Sequence, residues 1–96
     1  MNRKKILKIL QEYKATHAER YKIREMGIFG SAARDNFREK SDVDIVLRIS
    51  EPDLFILAGI KNDLEERFHR EVDLVTYREN MNTFLKQRID AEALYV

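Results

Sequence analysis

The sequence has no cysteine, a single proline and only three glycines among 96 residues, and charge of neither sign predominates. Without cysteine there is no disulfide framework, no thiolate metal site and no thiol nucleophile. So little glycine and proline leaves no room for low-complexity segments or flexible linkers. The 18 basic and 17 acidic residues give a formal net charge of +1. That balance argues against gripping nucleic acid through bulk positive charge, so no direct nucleic-acid binding is expected. No apolar run approaches the roughly 18 to 20 residues that a membrane helix needs. The start, Met1 to Leu10, is basic and apolar and superficially suggests a targeting segment. Lys8 interrupts that run and Gln11-Glu12 end it, so the expectation is a cytoplasmic protein.

What is present suffices for one small core. Hydrophobic residues make up 44% of the chain and charged residues 36%, so a single domain over residues 1–96 is expected. A polymerase with separate grasping domains, a solenoid and a membrane channel all fall outside that size and pattern. Ile6, Leu7, Ile9, Leu10, Tyr13 and Tyr21 recur at helical spacing and predict an amphipathic helix over residues 3–20. Ile23 to Phe29 is a short β-prone run stopped by Gly30-Ser31, and Ser31 stands at or near the cap of a helix opening at Ala32-Ala33-Arg34. Asn36 to Ser41 reads as a surface loop.

Asp42 to Ile49 alternates. Val43, Ile45, Leu47 and Ile49 point one way, and Asp42, Asp44 and Val46 the other, which predicts a strand with one buried face. Ser50 is a candidate cap for the next helix, with Pro52 in its first turn and Asp53 at the positive end of its dipole. Leu54, Leu57, Ala58, Leu64 and Phe68 would form its apolar stripe. Glu71 to Tyr77 reads as a third strand. Asn80 is expected to cap a last helix carrying Met81, Phe84, Leu85 and Ile89. The order α-β-α-β-α-β-α predicts one α/β layer structure, a small sheet backed by helices.

Three features point to chemistry. Gly30-Ser31 lies between a strand and a helix, where glycine permits a tight turn and exposed amides with a hydroxyl favour an anion such as phosphate. Taken alone, such a pair is most often only a turn and a cap. Asp42 and Asp44 project from one strand face with Cα atoms about 6.5 Å apart. Charges that close repel unless a cation such as Mg²⁺ lies between them, although an isolated Asp-x-Asp is commonly a solvated strand end. Asp73 sits among Val72, Leu74 and Val75, where burial of an acid needs compensation by a metal or by an arginine such as Arg34 or Arg70. Together they are the equipment of metal-assisted phosphoryl chemistry.

Rival motifs are missing. There is no P-loop and no Gly-x-Gly-x-x-Gly. A calcium loop begun at Asp42 would place Val46 and Leu47 where an acid or amide and a glycine belong. His17 and His69 are not spaced as a zinc pair, and Ser31 lacks the Gly-x-Ser-x-Gly elbow. Arg34, Arg38 and Lys40 lie between the two halves of the site, where some could steer or hold a triphosphate.

Gly30-Ser31, ten intervening residues and Asp42-Val43-Asp44, with Ala33-Arg34 and Ser41-Asp42 inside the motif, resemble the minimal nucleotidyltransferases (MNT family) of the DNA polymerase β-like superfamily. Leu64-Glu65 and Val72-Asp73-Leu74-Val75 are similar to that family's third-carboxylate strand, and the likeness runs from about Ile23 to Ile89. The resemblance implies the polymerase β-like nucleotidyltransferase fold, a small mixed sheet backed by helices. It implies a nucleoside triphosphate, ATP, as donor and two Mg²⁺ ions held by Asp42, Asp44 and Asp73. Gly30 and Ser31 would hold the β and γ phosphates, with Arg34 and Ser41 also in the nucleotide site. Asp73 would help activate the attacking hydroxyl. The family often has glycine where this chain has Asp35 and His69; Asp35 or Asn36 can adopt a left-handed turn, and His69 reads as a surface turn residue.

The resemblance further implies an antitoxin paired with a helical HEPN ribonuclease toxin in a hetero-oligomer, transferring AMP to a hydroxyl of that partner. A chain this short has no second domain to enclose a small acceptor, which disfavours nucleotidylation of the aminoglycoside-resistance type. The alternative is a non-catalytic antitoxin that neutralises its partner by binding. The stretch Ala91, Ala93, Leu94, Tyr95 and Val96 suits a protein interface or completes the packing of the last helix.

Overall fold

A computed structural model describes residues 1–34 and 41–96. Most of the expected loop from Asn36, with Asp35, Arg38 and Lys40, lies outside the described residues. The chain opens with α1 (Arg3–Tyr21), where the Asn2 side chain accepts the Lys5 N–H and Lys22 closes the helix in a left-handed conformation at φ 58°. Ile6, Leu10 and Tyr13 face the core, as their spacing predicts. The strand β1 (Ile23–Phe29) follows and leads into α2 (Gly30–Ala33), a single helical turn. Phe29 holds the capping position of α2 and makes no side-chain cap hydrogen bond, so Ser31 lies inside the turn rather than at its cap.

After β2 (Val43–Ile49), the helix α3 (Leu54–Phe68) is capped by Asp53, not by Ser50. The Asp53 carboxylate accepts the N–H groups of Phe55 and Ile56 at 2.8 and 3.2 Å. A charged acceptor one residue from the first turn displaces a hydroxyl further upstream, which leaves Pro52 ahead of the helix. Of the predicted stripe, Leu64 and Phe68 are buried and Leu57 packs half-buried against the core, whereas Ala58 is exposed and Leu54 is 83% exposed. Ile60, outside that stripe, is buried as well. The helix ends at His69, which adopts the left-handed conformation at φ 56°.

The third strand, β3 (Val72–Thr76), and the last helix, α4 (Thr83–Glu92), complete the predicted order. Asn82 caps α4 by accepting the Leu85 N–H, two residues later than the Asn80 expected from the sequence. Ile89 is buried, but Phe84 is 79% exposed. A short strand missing from the sequence reading, β4 (Leu94–Tyr95), pairs antiparallel with β1 through Gly27 and Ile28. A Cβ at Gly27 would stand 2.7 Å from the Leu94 carbonyl oxygen, so the absent side chain lets β4 close on β1.

The four-stranded sheet runs β3-β2-β1-β4, with β1 and β2 antiparallel and β2 and β3 parallel. The parallel pair needs a crossover, which α3 supplies. Val43, Ile45, Leu47, Met26 and Ile28 pack with Ile6, Leu10, Tyr13, Ile60 and Leu64 in the main core. The opposite face carries Phe29 and Val46 under Ile89 of α4. Tyr13 donates to Asp63 at 2.8 Å and ties α1 to α3. Each buried residue is apolar, and among the described residues no polar or charged one is buried.

We expect Asp53→Ala to lower unfolding stability by about 1 kcal/mol, the usual worth of an N-cap, and Ser50→Ala to change it by less than about half of that. Urea denaturation of the two variants checks the assignment. Equal losses would restore Ser50 as a capping residue.

Candidate active site

The site lies where β1 ends and β2 and β3 begin. In the sheet Asp44 pairs with Phe29 on one side and with Asp73 on the other. In-register residues on adjacent strands share a face, so the two carboxylates project together, on the side covered by α4. Gly30 follows directly and adopts φ +66°. A Cβ built there would collide with the Asp44 carboxylate. The glycine therefore serves both backbone conformation and close approach, which an L side chain would prevent.

The three aspartates occupy different settings. Asp44 is half-buried, whereas Asp42, just ahead of β2, and Asp73 are exposed. The sequence expectation that Asp73 is a costly acid inside an apolar strand is corrected on this point: β3 is an edge strand and water reaches its carboxylate. Nor is Arg34 its counter-ion, because Arg34 pairs with Glu92. Among the described residues, no three His, Cys, Asp or Glu side chains form a group ready to hold a metal ion.

Burial pushes the Asp44 carboxyl above its ordinary range, and the neighbouring charge of Asp73 adds to the shift. Arg88 opposes it, Asp42 reinforces it and Arg34 opposes it again. The repulsion predicted between the motif carboxylates is thus present at Asp44, with Asp73 the stronger contributor.

Two basic groups and one acid complete the neighbourhood. Arg34, at the end of α2, is held by Glu92, with Nη1 to Oε1 at 2.9 Å. The other Glu92 oxygen accepts the Gly30 N–H at 3.1 Å. Arg88 lies one helical turn before Glu92 on α4, beside Asp44 and over the Phe29 ring at 5.8 Å. Ser31 is half-buried within α2, and Ser41 is half-buried next to Asp42. On the other side of the sheet start, Glu65 of α3 accepts the Val72 N–H at 2.9 Å and fixes the chain one residue before Asp73.

The structure therefore gathers Gly30, Arg34, Asp44 and Asp73, with Asp42 near enough to act on Asp44 electrostatically. Glu92 and Arg88 were not singled out from the sequence, and Glu65 enters there only within the resemblance, with no role attached. Glu92 and Arg88 reach the site only because α4 folds back over α2. Their spacing of four on one predicted helix was the sole available signal, and it is common to many surface helices.

A mixed sheet in this order, with a one-turn helix after β1 and acidic starts to β2 and β3, defines the polymerase β-like nucleotidyltransferase fold. Residues 4–95 match the family described as Polymerase beta, Nucleotidyltransferase, and the chain belongs to that family. It is a nucleotidyltransferase. A Thermococcus cleftensis relative named protein adenylyltransferase MntA is 34% identical over 89 residues, covering 92% of this chain and 89% of the relative. A solved structure of a provisionally assigned minimal nucleotidyltransferase superposes with a TM-score of 0.79 at 26% identity, over 98% of this chain and 95% of that one. A chain from the complex of a tri-AMPylated Shewanella oneidensis HEPN toxin with an MNT antitoxin gives a TM-score of 0.62 at 23% identity, covering 98% of this chain and 67% of that one. At that identity the last likeness concerns the fold.

The raised carboxyl of Asp44 predicts a pH signature. Its ionised form weakens the fold at neutral pH, and the penalty is relieved as pH falls through the folded-state pKa toward the ordinary value of 3.8. Asp44→Asn should therefore raise the thermal midpoint at pH 7 in the presence of a chelator, with a gain that shrinks toward pH 4. A midpoint below wild type at pH 7 would contradict the electrostatic account.

Proposed function

We propose that this nucleotidyltransferase moves AMP from ATP to a hydroxyl of a protein partner, an HEPN ribonuclease toxin, and acts as its antitoxin. The observation that carries the reading is the in-register pairing of Asp44 with Asp73 beside Gly30, whose left-handed backbone and missing side chain leave room for the Asp44 carboxylate. The relative named as a protein adenylyltransferase supports the transferred group. The matching chain in the complex with an AMPylated HEPN toxin suggests the partner.

The donor set fits Mg²⁺. Asp42, Asp44 and Asp73 offer hard oxygens, and their mutual repulsion is felt at Asp44. Mg²⁺ is typically bound by one or two carboxylates plus substrate phosphates, so a closed protein cage is not required. Asp42 and Asp44 would hold both ions, and Asp73 the catalytic one. When bound, the ions neutralise triphosphate charge and polarise the α-phosphoryl group.

The chain's own residues do the rest. The Gly30 N–H, the Ser31 hydroxyl and Arg34 bind and orient the β and γ phosphates, so that the acceptor can approach the α-phosphorus in line with the leaving pyrophosphate. Ser41, beside Asp42, supports the nucleotide side. Asp73 receives the proton of the attacking hydroxyl as the new P–O bond forms and the bond to pyrophosphate breaks. Its exposure at the sheet edge lets a macromolecular acceptor reach it. Among the described residues no helix is long and apolar enough to cross a membrane; that the protein works in the cytoplasm is part of this proposal.

Incubation of the protein with α-labelled ATP, Mg²⁺ and its HEPN partner should label that partner. Asp44→Asn should reduce the label at least about 100-fold, since several kcal/mol of transition-state stabilisation are withdrawn. An unlabelled but still inhibited toxin would favour neutralisation by binding alone. Asp73→Asn should stop transfer while leaving ATP binding within about threefold of wild type, because a group that activates the acceptor contributes little to the ground-state complex. A titration that finds ATP binding abolished in Asp73→Asn would remove that division of roles.

A further inference from the structure

Glu92 has no role in the proposed transfer, yet it touches two groups that the transfer requires. One carboxylate oxygen accepts the Gly30 N–H at 3.1 Å, and the other accepts from Arg34 Nη1 at 2.9 Å. An amide and a guanidinium sharing the two oxygens of one anion is the pattern by which proteins hold a phosphate group. We propose that Glu92 is a resident substitute for phosphate: it occupies the phosphate turn in the nucleotide-free protein, and an incoming triphosphate must displace it. The inference rests on the reading of Gly30 and Arg34 as phosphate ligands.

The geometry makes the two occupants exclusive. A single amide proton serves one acceptor well, and the Glu92 side chain is 24% exposed, so it fills the space in front of Gly30 instead of lying in solvent. Its backbone is anchored. Glu92 ends α4, Ala93 donates to the Ile89 carbonyl, and the chain then enters β4 against β1. Displacement therefore means rotating one side chain, with α4 and β4 in place.

The substitute has two effects. It keeps Gly30 and Arg34 oriented while no nucleotide is bound, satisfying an amide beside the like-charged Asp44 cluster. It also reduces nucleotide affinity, because the contacts made by Glu92 have to be lost on binding. The repulsion between Glu92 and an arriving triphosphate acts in the same direction. Affinity for ATP is thereby set below what Gly30 and Arg34 would give if unoccupied.

The test measures binding, not transfer. Titration of a non-hydrolysable ATP analogue with Mg²⁺ should show Glu92→Gln binding about five- to tenfold more tightly than wild type, the scale of one partly exposed charged contact. Unchanged or weaker binding by Glu92→Gln would overturn the proposal, the weaker case making Glu92 a support for Arg34 instead. Thermal melts give a second readout. Glu92→Gln should melt below wild type without the analogue and level with it at saturation. An equal deficit in both conditions would mean that the Glu92 contacts survive in the complex, which also overturns it. Arg34→Ala separates the underlying reading. If wild type binds the analogue and Arg34→Ala binds it equally well, the phosphate assignment of Arg34 fails whatever Glu92 does; weakened binding supports it.

Discussion

Asp44 and Asp73 lie side by side on adjacent parallel strands, and like charges stay in register only if the strands cannot slip. A shift of one residue would turn Asp44 into the core and bring Val43 or Ile45 to the site. The pairing is fixed by the other face of the same strand, where Val43, Ile45 and Leu47 pack against α1 and α3. The interior, apolar throughout the described residues, is thus part of the site's construction: it holds a repulsive pair at the mouth of the sheet by making any other register cost several buried side chains.

The segments with clear periodicity were legible in the sequence. β1 was found with its observed bounds, β2 and β3 to within a residue or two, and α1 to within one. The alternation of Val43, Ile45 and Leu47 against Asp44 and Val46 separated the two faces, but the expectation of one buried face is corrected, because Val46 is buried under α4 on the other. Helix starts were less readable, because several polar residues compete near each one. Ser50 and Asp53, or Asn80 and Asn82, are all chemically able to cap, and the choice depends on where the crossover allows the first turn to begin. β4 was invisible because two residues carry no period, and its existence depends on the small residue at Gly27.

Of the site, the sequence contained the acids and the glycine but not the relations among them. Asp44 is distinguished from Asp42 and Asp73 by half-burial beside Gly30, a consequence of tertiary packing. The place of Asp73 on an edge strand follows from the sheet order, which the α-β alternation alone does not determine. The α4 side of the site was absent from the reading for the same reason. Glu92 and Arg88 lie far along the chain from Gly30, and only the return of α4 across α2 brings them there.

The position of Asp73 on β3 has another effect. An outer strand offers unpaired backbone groups to any similar strand, and Val72-Asp73-Leu74-Val75 without its acid would be a short, uncharged β-prone run. The carboxylate for which an acceptor-activating role is proposed also discourages copies of the chain from stacking edge to edge. A descendant in which this residue was neutralised would lose a safeguard against aggregation, so retention of the acid need not signal turnover alone.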